Sequence, residues 1–462
     1  MALANTLSEF VCELSLRALA PEVVTQAKTL VLDALACTIA GAGSASASTA
    51  MAVVNPPRAE AAATIVVDGA RADAASAALV NGAMLRSLDL MDVYVTLDVS
   101  HPSEVVPAAL ACAEAGLASG RDFLEGAIAG MALHQLLTDY IALHAHGLHH
   151  AGQAAWTVPL VAGRLLARSA GTASRATTAA RALTITAHRL LVPESFARGQ
   201  LTNLKALAYP LLAREGIEAL RLAQAGLVGR DSACEDTVEL LAERFGMRIK
   251  VGDLEPKVPA DLSGITLKKY PAQYALQPLI AAACRAHALG FGAARGVEKV
   301  VVHASRRTVE RTADPAKYAP NGPEAADHSL PFCIAVALMD GEFSTAALQS
   351  QRWAEPETRA LMTRIEASPI GTGTGYQIGS QRMELRFQDG TVESLPCHYP
   401  PDGDTPYSIA ERKLRKASEG LVDAEQILNL VMNLEDEPDL RRLGKALSSR
   451  HPVRGLVLRR HR

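Results

Sequence analysis

A mainly α fold, with a large all-α helical domain and a smaller α+β lid domain, is what three features of the sequence predict. Alanine and leucine supply most of a hydrophobic content of 49%, and aromatic residues only 4%, a composition that favours close-packed helices over sheets. Helical periodicity runs almost unbroken to about residue 250, and most of the strand-like runs, such as Val297–His303, come after it. At 462 residues the chain is roughly three times the ~150-residue domain prior. The expected division is a helical domain over 1–255, completed by 405–462, and an α+β lid over 256–404.

The elements follow in order. Leu7–Leu19 carries apolar residues at helical spacing, and Ala20-Pro21-Glu22 opens a second helix that ends at Gly41. Ala62–Val67 is β-branched enough for a short strand, and Ala72–Met84 returns to helix. Val105–Gly116, Arg121–Leu143, Ala154–Ala170, Thr172–Ala187 and Lys205–Ala225 read as further helices, with Leu190–Asn203 irregular. Past the composition change, Arg248–Val251, Gly264–Lys269, Val297–His303 and Met383–Phe387 read as strands. Leu276–Leu289 and His328–Met339 read as lid helices, and Ser408–Ala417, Ala424–Leu434 and Leu440–Leu447 as helices returning to the first domain. The basic end, Arg454–Arg462, reads as frayed.

Composition narrows the function. A formal charge of −3 gives no long-range reason to bind nucleic acid or an anionic membrane. The N-terminus lacks a secretory pattern. The stretches free of Asp, Glu, Lys and Arg, 34–57 and 140–163, are broken by Gly, Ser, Thr or His and read as no membrane span. The seven cysteines are scattered without a CxxC pair, as in a reduced cytoplasmic protein.

The chemistry concentrates between Val80 and Ser103, where Asp89, Asp92 and His101 could form a carboxylate-assisted acid/base group. A metal reading of these three is weak, because the spacing is non-specific and the chain has no HExxH. Histidines 144, 146, 149 and 150 share a glycine-containing turn. At least two of them read as surface residues, and adjacent His149 and His150 are not expected to face the same way. Lys205 and Arg214, nine residues apart, fall on nearly opposite faces of a regular helix. Of Lys268 and Lys269, alternation sends at most one into a cleft. Asp327-His328-Ser329 reads as a helix-capping group, and residues 371–375 as a flexible glycine loop.

At these residues the sequence resembles the MmgE/PrpD family, which includes 2-methylcitrate dehydratase, cis-aconitate decarboxylase and iminodisuccinate epimerase. The resemblance is carried in order by Asn81-Gly82, Leu88-Asp89…Asp92, His101-Pro102-Ser103, His149-x-x-Gly152, Arg198-Gly199…Lys205, Lys268-x-Tyr270-Pro271, Ala326-Asp327-His328-Ser329-Leu330-Pro331-Phe332, Asp340-Gly341 and Gln388-Asp389-Gly390. It implies a cleft between the two domains, a homodimer, and chemistry without a metal or organic cofactor. Carried over by position, it implies catalytic roles for Asp89, Asp92, His101, His149 and Lys268. Lys205, Arg214, Tyr270 and, where the family often has histidine, Arg86 would bind substrate carboxylates. Met91, Val93, Gln273, Ala275 and Gln277 also depart from the family pattern. The implied function is a cytoplasmic lyase dehydrating a citrate-like small molecule such as 2-methylcitrate, with a decarboxylase, an epimerase or a non-catalytic polyacid binder as alternatives.

Overall fold

The computed structural model describes residues 2–54, 62–167, 171–197, 199–256, 260–291, 296–371, 378–401 and 403–449. The glycine loop beyond Gly371, Arg198 and the basic end from 450 lie outside the described residues. Helices α1 (Leu3–Glu13) and α2 (Pro21–Ala40) open the chain. They are followed by α3 (Ala74–Arg86), α4 (Val106–Ala115), α5 (Gly120–Tyr140), α6 (Ala154–Leu166), α7 (Thr172–Thr186), α8 (Leu204–Gln224) and α9 (Ala233–Phe245).

A second group mixes helix and sheet. It contains α10 (Gln277–Ala288), β1 (Val297–Ser305), α11 (Arg306–Thr312), α12 (Leu330–Asp340), β2 (Ile365–Ile370), β3 (Arg382–Phe387) and β4 (Val392–Pro396). The sheet runs β2-β1-β3-β4, with β1 parallel to β2 and the other pairs antiparallel. The chain then returns through α13 (Pro406–Ser418), α14 (Ala424–Met432) and α15 (Arg441–Ala446).

Two hydrophobic cores follow this order. The larger takes side chains from Leu3 to Leu267 and again from Ile409 to Leu447. The smaller is built from Tyr270 to Cys397, with β1, α10 and α12 at its centre. Ala260, Leu262, Ile265 and Leu267, placed with the lid by the sequence reading, pack into the larger core.

Helix α2 is the central rod of that core. Among the described residues it is the one helix long and apolar enough to cross a membrane, but α3 and α13 pack against it and Leu30, Val31, Leu35 and Ile39 are buried. Its charged residues are answered from the returning helices. Lys28 pairs with Glu435 at 2.5 Å, and Lys413 of α13 with Asp33 at 2.6 Å. The same Lys413 ammonium donates to the Leu90 carbonyl at 2.8 Å, so α13 holds the Asp89–Asp92 stretch directly.

Asn81 and Gly82 explain their own identities. The Asn81 side chain accepts from the Val66 N–H at 3.0 Å and donates to the Thr64 carbonyl at 2.9 Å, pairing buried backbone that a sheet would otherwise satisfy. A Cβ at Gly82 would sit 2.9 Å from the Pro210 ring, so glycine lets α3 and α8 approach closely.

Several expectations needed correction. Arg248–Val251 forms no strand and leads into a single 3-10 turn. Gly264–Lys269 makes one bridge, Thr266 with Val93, rather than a ladder; its end is pulled inward by the buried Lys268 ammonium. Ala62–Val67 pairs over only Ala63–Thr64 with Arg71–Ala72. Helix α9 escaped notice because its apolar face is short, with Cys234, Val238 and Leu241 buried, as did β2 and α11.

Replacing Lys413 by Met leaves Asp33 buried without its cation, and the expected loss is roughly 3 kcal/mol in reversible chemical unfolding. An unchanged midpoint would show that α13 does not anchor the site loop electrostatically.

Candidate active site

A cavity of about 540 Å³ lies where the two cores meet. The larger core contributes Arg86, Asp89, Val93, His101, His144, His149, His150 and Lys205, and the smaller Gln273, Tyr274, Arg306, Arg307, Arg311, Lys317 and His328, with Lys268 at the junction. Lining side chains include seven Lys and Arg against four Asp and Glu. Such a wall attracts a small molecule bearing several negative charges.

Lys268 and Asp89 form its floor. Lys268 is 1% exposed, and its ammonium donates to the Asp89 carbonyl at 2.8 Å and lies 3.2 Å from the Asp89 carboxylate. Asp89 takes a left-handed backbone, φ +48°, a conformation Asp tolerates better than most residues. That turn aims both oxygens of one residue at one lysine. Burial alone would raise the Asp89 carboxyl, but Lys205, Lys268, His328 and Arg86 outweigh it and hold the group well below the usual carboxylate range. Burial lowers Lys268, with Arg86 and Lys205 adding to the effect and Asp89 opposing it. Across the cavity Lys205 pairs with Asp327 at 2.8 Å, and His328 sits between Asp327 and Asp89.

Asp92 does not line the cavity. Its carboxylate accepts from the Ser103 hydroxyl at 2.5 Å and the Ser103 N–H at 3.1 Å, while burial pushes it up to about 7. Its carbonyl takes the Nδ1 contact of His101 at 2.6 Å. A carbonyl only accepts, so Nδ1 carries the proton and Nε2 keeps its lone pair. His101 is thus set as a base, and burial beside Arg86 and Lys268 holds it well below the ordinary histidine value.

His149 has the opposite tautomer. Its Nδ1 accepts the Ala151 N–H at 3.1 Å, which leaves the proton on Nε2. Burial, followed by His144, Arg86, His101 and Arg311, keeps it neutral. Both His149 and His150 line the cavity, with ring centroids 4.1 Å apart. The expectation that they face apart fails because His149 is an extended N-cap and His150 begins a 3-10 turn. Three histidines of the tract are buried, and His146 is the one left half-buried outside the cavity.

Two groups have metal-ligand spacing, His144 with His149 and His150, and Asp89 with Asp327 and His328. Hydrogen bonds already commit His144 to Asp98 and His149 to the Ala151 N–H, and Lys205 and Lys268 supply the positive charge at the second group.

Other implied residues fall elsewhere. Arg214 lies on α8 outside the cavity wall, while Lys205 lines it, as nine residues of helix require. Tyr270 lines a separate cavity of about 980 Å³ with Phe343 and Trp353. Gln277 causes this, because its amide accepts the Lys269 and Tyr270 N–H groups, both at 3.0 Å, and donates to the Tyr270 carbonyl at 2.9 Å. The turn so pinned presents Gln273 and Tyr274 to the first cavity instead. Lys269 turns away to Asp404 at 2.9 Å. Ser329 caps α12 through the Phe332 N–H at 3.1 Å, so the capping expectation holds for Ser329, while His328 lines the cavity and Asp327 pairs with Lys205 and His328. Residue reading missed Arg306, Arg307, Arg311 and Lys317; the cationic spacing around α11 was the available signal.

Exchanging Lys205 or Lys268 for Met is expected to weaken calorimetric binding of a tricarboxylate about tenfold or more each, the scale of one charge-assisted contact. Binding unchanged in both variants would show that the cationic wall does not hold the ligand.

Compared with known families, residues 5–246 match the MmgE/PrpD N-terminal domain and residues 270–436 match the MmgE/PrpD C-terminal domain. The two matches cover most of the chain and every side chain named for the cavity except Lys268, which falls between them, and the chain belongs to the MmgE/PrpD family.

Proposed function

We propose that the protein is a lyase that removes water from a citrate-like polycarboxylate without a cofactor, 2-methylcitrate being the named example. The observation that carries this reading is the convergence of a lone-pair-bearing histidine, a neutral hydrogen-bond donor and several cations on one cavity. The family consists mostly of lyases and dehydratases, which agrees with the reading at the level of reaction class. The cytoplasmic location, the homodimer and the division into a helical domain and a lid belong to the same proposal.

In this scheme Lys205, Arg86 and the arginines of α11 hold substrate carboxylates. His101 Nε2 takes the proton from the carbon next to a carboxylate. The resulting enolate-like charge is met by the His149 Nε2–H and by the Lys268 ammonium, two donors fixed before the charge develops. Lys268, with its proton loosened by burial, then protonates the departing hydroxyl, as a general acid nearer neutrality does most effectively. Asp89 keeps Lys268 in place and balances its charge.

Decarboxylation or epimerisation would begin from the same bound polyacid and share the proton transfer, so products decide among them. Incubation with 2-methylcitrate, citrate, cis-aconitate and iminodisuccinate is expected to give alkene absorbance with a hydroxy acid. Carbon dioxide from cis-aconitate, or inversion of iminodisuccinate, would replace the dehydratase reading with the corresponding one. Binding without any product would make the protein a polyacid binder.

A further inference from the structure

Behind the cavity wall runs a row of polar side chains that the scheme above does not use, and none of them lines the cavity. It starts on α8 with Tyr209, whose hydroxyl lies 2.9 Å from His134 Nε2 of α5. His134 Nδ1 lies 2.8 Å from Gln153 Oε1 at the head of α6, and Gln153 Nε2 lies 3.1 Å from the Thr138 hydroxyl, again on α5. The Thr138 and Ser100 hydroxyl oxygens meet at 2.7 Å. Tyr209 is 2% exposed and the other four are 0% exposed. Polar groups at this depth are retained at tolerable cost only when they are paired.

Proton counting gives the row a single direction. The Thr138 hydroxyl has one proton, and the His134 carbonyl one helical turn back, at 2.6 Å, can only accept it. The Thr138 oxygen is therefore an acceptor for its other two neighbours, the Ser100 hydroxyl and the Gln153 amide nitrogen. That orients the Gln153 amide and turns its oxygen to His134, so Nδ1 carries the ring proton and Nε2 accepts from the Tyr209 hydroxyl. Burial pushes His134 down to about 4, with the Gln153 hydrogen bond opposing, so the ring is neutral and has only that proton to place. Thr138 is the node. Without its hydroxyl, Ser100 loses its partner and nothing fixes which way the Gln153 amide faces.

Both neighbours of Thr138 adjoin a histidine of the site. Ser100 immediately precedes His101. Gln153 closes the 3-10 turn His150–Gln153, whose N-cap is His149. The rings of His101 and His149 both pack on His150, with centroids 5.0 Å and 4.1 Å away. We propose that Thr138 is a positioning residue, which through Ser100 and Gln153 holds His101 and His149 in their working arrangement from the rigid back of α5. A misplacement of about 1 Å in such a pair costs on the order of a hundredfold in rate. The cations assigned to the substrate carboxylates lie outside the row, so Thr138 acts on the chemical step and leaves binding alone.

The catalytic consequence rests on the lyase reading, and the test separates the two. T138V keeps the shape of the side chain and removes the hydroxyl, whereas T138S keeps the hydroxyl. On 2-methylcitrate, or whichever polycarboxylate wild type turns over, T138V is expected to lower kcat about tenfold or more with KM changed less than about twofold. T138S is expected to recover most of the loss. Nitrogen NMR of isotope-labelled histidines in the ligand-free proteins is expected to show His134 as one Nδ1–H tautomer in wild type and T138S and as a mixture in T138V. The His101 and His149 ring signals are expected to move in T138V alone. Either a wild-type kcat or unmoved His101 and His149 signals in T138V would overturn the proposal. A loss that T138S does not restore would overturn it too, because the effect would then follow shape and not the hydroxyl. If wild type turns over no polycarboxylate the lyase reading fails, and the ring signals alone then decide whether Thr138 positions the two histidines.

Discussion

A lysine buried to 1% exposure needs compensation, and the rest of the site is arranged around supplying it to Lys268. Asp89 does so twice, through its carbonyl and its carboxylate, and only a left-handed turn makes both possible. That turn is held from behind by Lys413, which reaches the next carbonyl, Leu90, from a helix more than three hundred residues later in the chain. The return of the C-terminal helices to the first core therefore has a local purpose. It fixes the backbone that fixes the charge.

The excess of cations around Asp89 sets the character of the cavity. Burial, reinforced by these cations, keeps His101 and His149 neutral, so what they can offer comes from tautomer rather than from charge. His101 presents a lone pair because a carbonyl claims its Nδ1 proton, and His149 presents a proton because a backbone N–H claims its Nδ1 lone pair. Asp92 contributes by holding Ser103 and thereby the histidine, a positioning part rather than a place on the wall. The same cations favour negative charge in whatever enters the cavity, which is the ground for proposing a polyacid.

Much of this was legible in the chain. The helices announced themselves by periodicity, and the Asp89–His101 stretch by carboxylates and a histidine between apolar runs. Order and spacing of short motifs carried the family. What stayed hidden depended on contacts made by folding. Neither Glu104 nor Asp98 stands out in the sequence, and Asp98 meets His144 only across a chain separation of 46 positions. One residue of 3-10 geometry put His149 and His150 on the same wall against the rule of alternation. Tyr270 was implied as a ligand and gave way to Tyr274 because Gln277, itself a departure, pins the turn between them. Arg86, ambiguous between clamp and surface charge, is a buried wall residue whose partner is Glu104.

The central claim is proton transfer at the carbon next to a carboxylate, with His101 as the base. Deuterium incorporation from heavy water into a bound polycarboxylate, followed by proton NMR in wild type and H101N, measures it without waiting for a full turnover. The account predicts exchange at that carbon in wild type and its loss, with binding retained, in H101N. Exchange of equal rate in both proteins, or none in a wild type that turns substrate over, would contradict it.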